Sequence, residues 1–136
     1  MKHLKFFNEN SEDELRLALF DLNGEITEDE IEICFIDLMD EGIIKKVSMT
    51  PIVDRWQKTS SLTVYLNIHF HKDNFNKREC MLKYIDFKLT RFKELFAILF
   101  PNYKITDSGA KTEDDYDLLT RNCDTIKAIS TIPLPR

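Results

Sequence analysis

The sequence predicts an α+β domain: a mostly antiparallel sheet backed by two helices, in the order αββαββ, behind an N-terminal helical arm. Three observations carry this. Residues 62–70 of "SLTVYLNIHFHK" alternate strictly between apolar and polar side chains, the period of a strand with one face buried. The stretches "EIEICFIDLMDEG" and "FNKRECMLKYIDFKLTRFKELFAILF" instead repeat apolar residues every three or four positions, the helical period. The strand signals come in adjacent pairs, which favours hairpins over crossover units.

Taken in order, Ser11 and Glu14 form a capping box, and Leu15, Ala18, Leu19 and Leu22 follow at helical spacing. "NGE" at Asn23 to Glu25 ends this arm, so residues 1–24 are read as the arm and 25–136 as one domain. Thr27 and Glu30 make a second capping box, Glu28, Asp29 and Glu30 complement the helix dipole, and Gly42 is placed for a left-handed cap. "IIKKVSMTPIV" and "SLTVYLNIHF" are strands joined through "DRWQKTS", with Pro51 favouring an edge position. The long helix ends at Pro101, with Leu82, Ile85, Leu89, Phe92, Phe96 and Leu99 as its packing seam. "YKIT" and "TIKAISTI" are the last strands, separated by the acidic loop "DSGAKTEDDYD" and a helical turn around "YDLLTRN".

With 136 residues, 43% of them hydrophobic and ten of them Phe, the chain has enough apolar surface for one core without metals or disulfides. Cys34, Cys80 and Cys123 are far apart and follow no CxxC pattern, so they read as reduced thiols. No apolar run approaches the ~20 residues of a membrane span, and the start "MKHLKFFNEN" turns polar too soon for a secretory signal. A cytoplasmic location and no membrane partner are the expectations. The net charge of −5 is unevenly spread: residues 1–42 carry −10, residues 43–104 carry +7 and residues 105–136 carry −2. Such asymmetry steers partners or draws copies of a chain together.

Three functional readings arise from the residues. The first is protein binding. On a helical wheel Tyr84, Phe87 and Ile98 fall opposite the packing seam with Arg91 among them, and Ile33 and Ile36 fall behind the buried face of the acidic helix. Apolar residues left outside a two-layer fold mark contacts, and Tyr, Phe and Arg are frequent at interface centres. The cover is a second copy, another protein, or the arm with Leu4, Phe6, Phe7, Leu15 and Leu19. The second reading is nucleic-acid binding by the basic 43–104 segment, with Lys45, Lys46, Arg55 and Lys58 on phosphates and Trp56 stacking on bases. No RRM, KH or zinc-finger signature accompanies it. The third is a metal-dependent hydrolase using His69 and His71, which share one strand face but lack an evident third ligand. There is no GxSxG, P-loop or GxGxxG, and with three glycines in all no phosphate cradle and no cofactor is expected.

"EIEICFIDLMDEGIIKKVSM", "LTVYLNIHF" and "KYIDFKLTRFKELF", in that order, resemble small uncharacterised proteins of tailed bacteriophages over about residues 25–100. The resemblance lies in element order and carries over no catalytic residue. It implies a protein of the host cytoplasm or the virion, most often with no assigned enzyme activity. The reading adopted is a non-enzymatic protein-binding module, self-associating or bound to another protein, that serves as an assembly component or inhibits a host factor.

Overall fold

The computed structural model describes residues 11–71, 78–112 and 123–135. Helix α1 is Ser11–Asn23, α2 is Glu28–Cys34 and α3 is Ile36–Asp40. Strands β1 (Ile44–Trp56) and β2 (Thr59–Phe70) form a long hairpin. Helix α4 (Arg78–Phe87), a π-helical turn (Lys88–Phe92) and α5 (Lys93–Leu99) follow as one rod. Strands β3 (Tyr103–Asp107), β4 (Cys123–Ser130) and β5 (Leu134–Pro135) complete an antiparallel sheet ordered β1-β2-β4-β3, with β5 pairing the far end of β2. The α+β class, the antiparallel sheet and the N-terminal helix are as the sequence predicts.

Leu62, Val64, Leu66, Ile68 and Phe70 all point into the core, and β4 adds Ile126 and Ala128. Above them lie Ile31, Phe35, Tyr84, Phe92 and Phe96 from the helices. The two caps behave as expected. The Thr27 hydroxyl accepts from the Glu30 amide at 3.3 Å and donates to the Glu30 carboxylate at 2.9 Å. Gly42 takes a φ of +75°, and the amides of Gly42 and Ile43 return to the carbonyls of Met39 and Leu38.

Several boundaries differ from the sequence expectation, each for a packing reason. The acidic helix breaks at Phe35, whose backbone leaves the helical region while its ring stacks on Phe92 at 4.5 Å. The hairpin strands run on through "DRWQKTS" to a two-residue turn, Gln57–Lys58, with Gln57 at φ +52°. The acidic loop beyond Thr112 and the turn around "YDLLTRN" lie outside the described residues, as do Leu4, Phe6 and Phe7.

The arm helix is built into the same core: Leu19 and Phe20 are buried, and α1 lies over β1 and β2 rather than over α4 and α5. Its last residue locks it there. The Asn23 side-chain amide donates to the Ile132 carbonyl at 3.1 Å and accepts from the Ile132 amide at 3.2 Å. Those groups need a partner because residues 131–133 interrupt the β4–β5 edge. At the same break the Ser130 hydroxyl takes the Leu62 amide at 2.8 Å.

The long rod buries Met81, Tyr84, Ile85, Lys88, Phe92 and Phe96, so of the predicted seam Ile85, Phe92 and Phe96 are inside, Leu89 packs against the core, and Leu82 and Leu99 are exposed. From Tyr84 the buried positions recur every fourth residue. An ideal helix drifts by about 40° over four residues, and the wider π turn between Lys88 and Phe92 takes up part of this drift.

Candidate functional site

The outer surface of the helix layer holds three of the predicted contact residues. Ile33 is 62% exposed, Ile36 48% and Ile98 76%. Ile33 and Ile36 come from the consecutive helices α2 and α3, and α5, which carries Ile98, packs beside α2. Asp29 stands one turn before Ile33, Asp37 follows Ile36 directly, and Asp40 stands one turn after it, all exposed. Arg91 is also exposed, 3.9 Å from Glu94. The other two predicted residues are placed differently. Tyr84 is 0% exposed, which removes it as a contact residue. Phe87 is half-buried, its ring 5.9 Å from that of Phe35. The seam is rotated relative to the ideal wheel, so Tyr84 comes inside and Leu82 goes outside.

The opposite side of the sheet carries none of the described helices. Cross-strand partners share a face, so the register sets Lys46, His69 and Cys123 in one row, Ser48, Asn67 and Thr125 in the next, and Thr50, Tyr65 and Lys127 in a third. Lys104 joins this face through its pairing with Ile129. Lys45 sits at the register shift between Ile44 and Lys46, which brings both lysines to the His69 side. His69 Nε2 is 3.0 Å from the Ser48 hydroxyl. Desolvation first, then Lys46 and Lys45, hold its pKa below the usual imidazole value. Cations beside His69 oppose a metal ion as they oppose a proton. His71 lies beyond the end of β2, and among the described residues no three potential ligands gather. The geometry thus does not build the predicted metal site.

The nucleic-acid candidates divide between the two ends of the hairpin. Lys45 and Lys46 open β1, whereas Arg55, Trp56 and Lys58 surround the turn at its other end, roughly 30 Å away at 3.3 Å per residue. Arg55 is engaged by Glu12 of α1 at 2.6 Å. Trp56 is 72% exposed. These five residues do not form one phosphate track.

β1 is an edge strand, and two of its outer amides are occupied by acids of α2. Val47 N–H donates to Glu32 Oε2 and Met49 N–H to Glu28 Oε2, each at 3.2 Å. Two residues further along the same edge stands Pro51, which has no amide hydrogen. Acids that look like a solvated helix face thus blunt the sheet edge against indiscriminate pairing.

The most unusual chemistry lies inside. Lys88 is 1% exposed, and its ammonium is 2.7 Å from Asp124 Oδ2, hydrogen-bonds the Ala110 carbonyl and lies 5.1 Å from the centre of the Tyr84 ring. Tyr84 donates its hydroxyl to the same carboxylate oxygen, while Asp124 Oδ1 accepts from the Ala110 amide at 3.0 Å. Burial, then the neighbouring Asp124, push the Tyr84 pKa well above its ordinary value, so the phenol stays protonated and donates. Gly109, at φ +68°, lets the chain pass so near that a Cβ there would come within 2.3 Å of Asp124 Oδ1. Every member has partners inside the protein, and the centre ties the π turn, β4 and the 108–110 segment together. Sequence reading missed it, although a signal existed: Lys88 occupies a buried period between Tyr84 and Phe92, and Asp124 alternates inward with Ile126 and Ala128.

Cys34, Cys80 and Cys123 are unpaired thiols. Burial, then Glu30, raise the pKa of Cys34 to about 11, and burial followed by Asp124 raises that of Cys123, so neither is an activated thiolate. No helix among the described residues is long and apolar enough to cross a membrane. No family model, curated protein or solved structure matches the chain.

Proposed function

We propose that the chain is a non-enzymatic protein-binding module whose contact surface is the outside of α2, α3 and α5. The observation that carries this reading is the exposure of Ile33, Ile36 and Ile98 together on adjoining helices. Single exposed apolar residues are ordinary on any surface, but a cluster within an acidic rim matches the apolar centre and polar border of a contact site. The partner is a second copy or another protein, and the module works as an assembly component or as an inhibitor of a host factor, in keeping with the resemblance to small bacteriophage proteins. Phe87 and Arg91 border the surface, and Tyr84 supports it from below.

Incorporating a photo-crosslinking amino acid at Ile36 tests this in cells. Adducts at 36 that vanish in an Ile33→Asp/Ile98→Asp background are expected. A folded protein giving no adduct at 36, either with itself or with another protein, overturns the proposal.

A further inference from the structure

We infer that the open sheet face of a second copy covers the helix surface, so that molecules associate head to tail. This rests on the protein-binding reading above and names its partner. Charge complementarity carries it. Around Ile33 and Ile36 the exposed charges are Asp29, Asp37 and Asp40, while on the Ile98 side Arg91 is paired with Glu94 and Lys93 is exposed. The open sheet face holds Lys45, Lys46, Lys104 and Lys127 against two acids, Asp54, which accepts from the Thr63 hydroxyl at 2.5 Å, and Asp107, paired with Lys127, which accepts from the Gly109 amide at 2.9 Å. Of the basic 43–104 segment, Lys45, Lys46 and Lys104 stand on the sheet side, whereas Arg78, Lys83, Arg91 and Lys93 belong to the helix layer.

Apolar groups accompany the charge on both sides. Ile52 and Trp56 alternate with Lys46 and Thr50 along β1, so they stand on the open face and are exposed there. Lys127 lies 5.9 Å from the centre of the Tyr65 ring on the same face. Four strands about 4.8 Å apart present a face on the order of 20 Å by 30 Å, comparable with the ~800 Å² each partner contributes to a standard interface. Because the two faces lie on opposite sides of one molecule, the contact joins unlike surfaces. Such a heterologous contact closes into a ring or continues as a filament. A symmetric dimer through the helix surface would instead set the aspartates of both copies against each other.

The test uses the full chain and two variants, each lacking one face. Asp37→Lys/Asp40→Lys alters the helix side, and Lys46→Glu/Lys127→Glu alters the sheet side. Light scattering at low ionic strength is expected to show wild-type mass rising past a dimer with concentration. The mass should fall toward the monomer as the Debye length shrinks from about 10 Å to about 3 Å between 0.1 and 1 M salt. Each variant alone is expected to stay monomeric, with self-affinity weakened at least about tenfold. In an equimolar mixture every contact again pairs a lysine-bearing face with an acidic one, so the mass should rise past a dimer as it does for the wild type. Circular dichroism checks that both are folded. Several outcomes overturn the inference: a wild type monomeric at all concentrations, association that the sheet-side variant leaves intact, or a mixture that forms no complex. Loss of heparin retention in the sheet-side variant with unchanged association overturns it too, by assigning the lysines to nucleic acid. Association lost in Ile33→Asp/Ile98→Asp but kept in Lys46→Glu/Lys127→Glu leaves the protein-binding reading standing and removes only the head-to-tail geometry.

Discussion

The two faces of the sheet treat polar side chains in opposite ways. On the open face His69 meets one hydroxyl, and Lys45 and Lys46 stay in solvent although they repel its proton. Under the helices, Asp124 is met by an ammonium, a phenol and a backbone amide. The difference follows from desolvation: a charge withdrawn from water requires nearly all its hydrogen-bonding capacity to be met inside the protein, whereas a wet charge requires little. The open face can therefore vary and bind, while the covered centre is held to one geometry.

The largest effect should come from breaking the covered centre. Lys88→Met leaves Asp124 without its cation and is expected to cost about 3–5 kcal/mol in urea unfolding. Adding Asp124→Asn should return much of that loss, with a coupling of about 1–3 kcal/mol; strictly additive losses would show that the pair is not the unit. Gly109→Ala comes next. It strains a positive φ and drives a methyl to 2.3 Å from Asp124 Oδ1 and 2.5 Å from the Thr125 carbonyl, for a predicted loss of about 2–3 kcal/mol. No comparable loss is expected from Gly24→Ala, where a Cβ meets no atom within 4 Å and only the φ of +93° opposes it.

On the open face the effects are smaller and depend on pH. The folded state holds the His69 pKa below its unfolded value. Stability is thus complete above the unfolded value of about 6.5 and declines as pH falls from there toward the folded pKa. His69→Gln, which can still bond Ser48, should flatten that slope in thermal melts between about pH 6.5 and 5. An unchanged slope would place the titrating group elsewhere. The smallest effect has the opposite sign: Gln57→Gly relieves the φ of +52° at the hairpin tip and should raise stability by about 0.5–1 kcal/mol. If Gln57→Gly destabilises instead, the turn is held by a contact of the Gln57 side chain.

Where the determinants are local, the sequence was enough. Alternation along residues 62–70, the Thr27–Glu30 box and the Gly42 cap each depend on neighbours within four positions, and each reappears in the structure. The exposure of Ile33, Ile36 and Ile98 was legible for the same reason, since a helical wheel needs only spacing. Tyr84 was not, because one π turn rephases the wheel and sequence spacing does not reveal a widened turn. The edge-capping roles of Glu28 and Glu32 were also hidden, since they depend on which strand passes beside α2.

Taken alone, the sequence determined the strands, the capped helix starts and ends, and a separation of acidic from basic segments, all properties of period and composition. Only the tertiary structure decided that Lys88 and Asp124, 36 positions apart, meet under the helices, that Asn23 closes a gap in a strand edge near the other terminus, and that Lys46, Lys104 and Lys127 from three separate strands share the open face. Those outcomes turn on burial, and burial depends on every element that packs around a residue rather than on the residue's own neighbours in the chain.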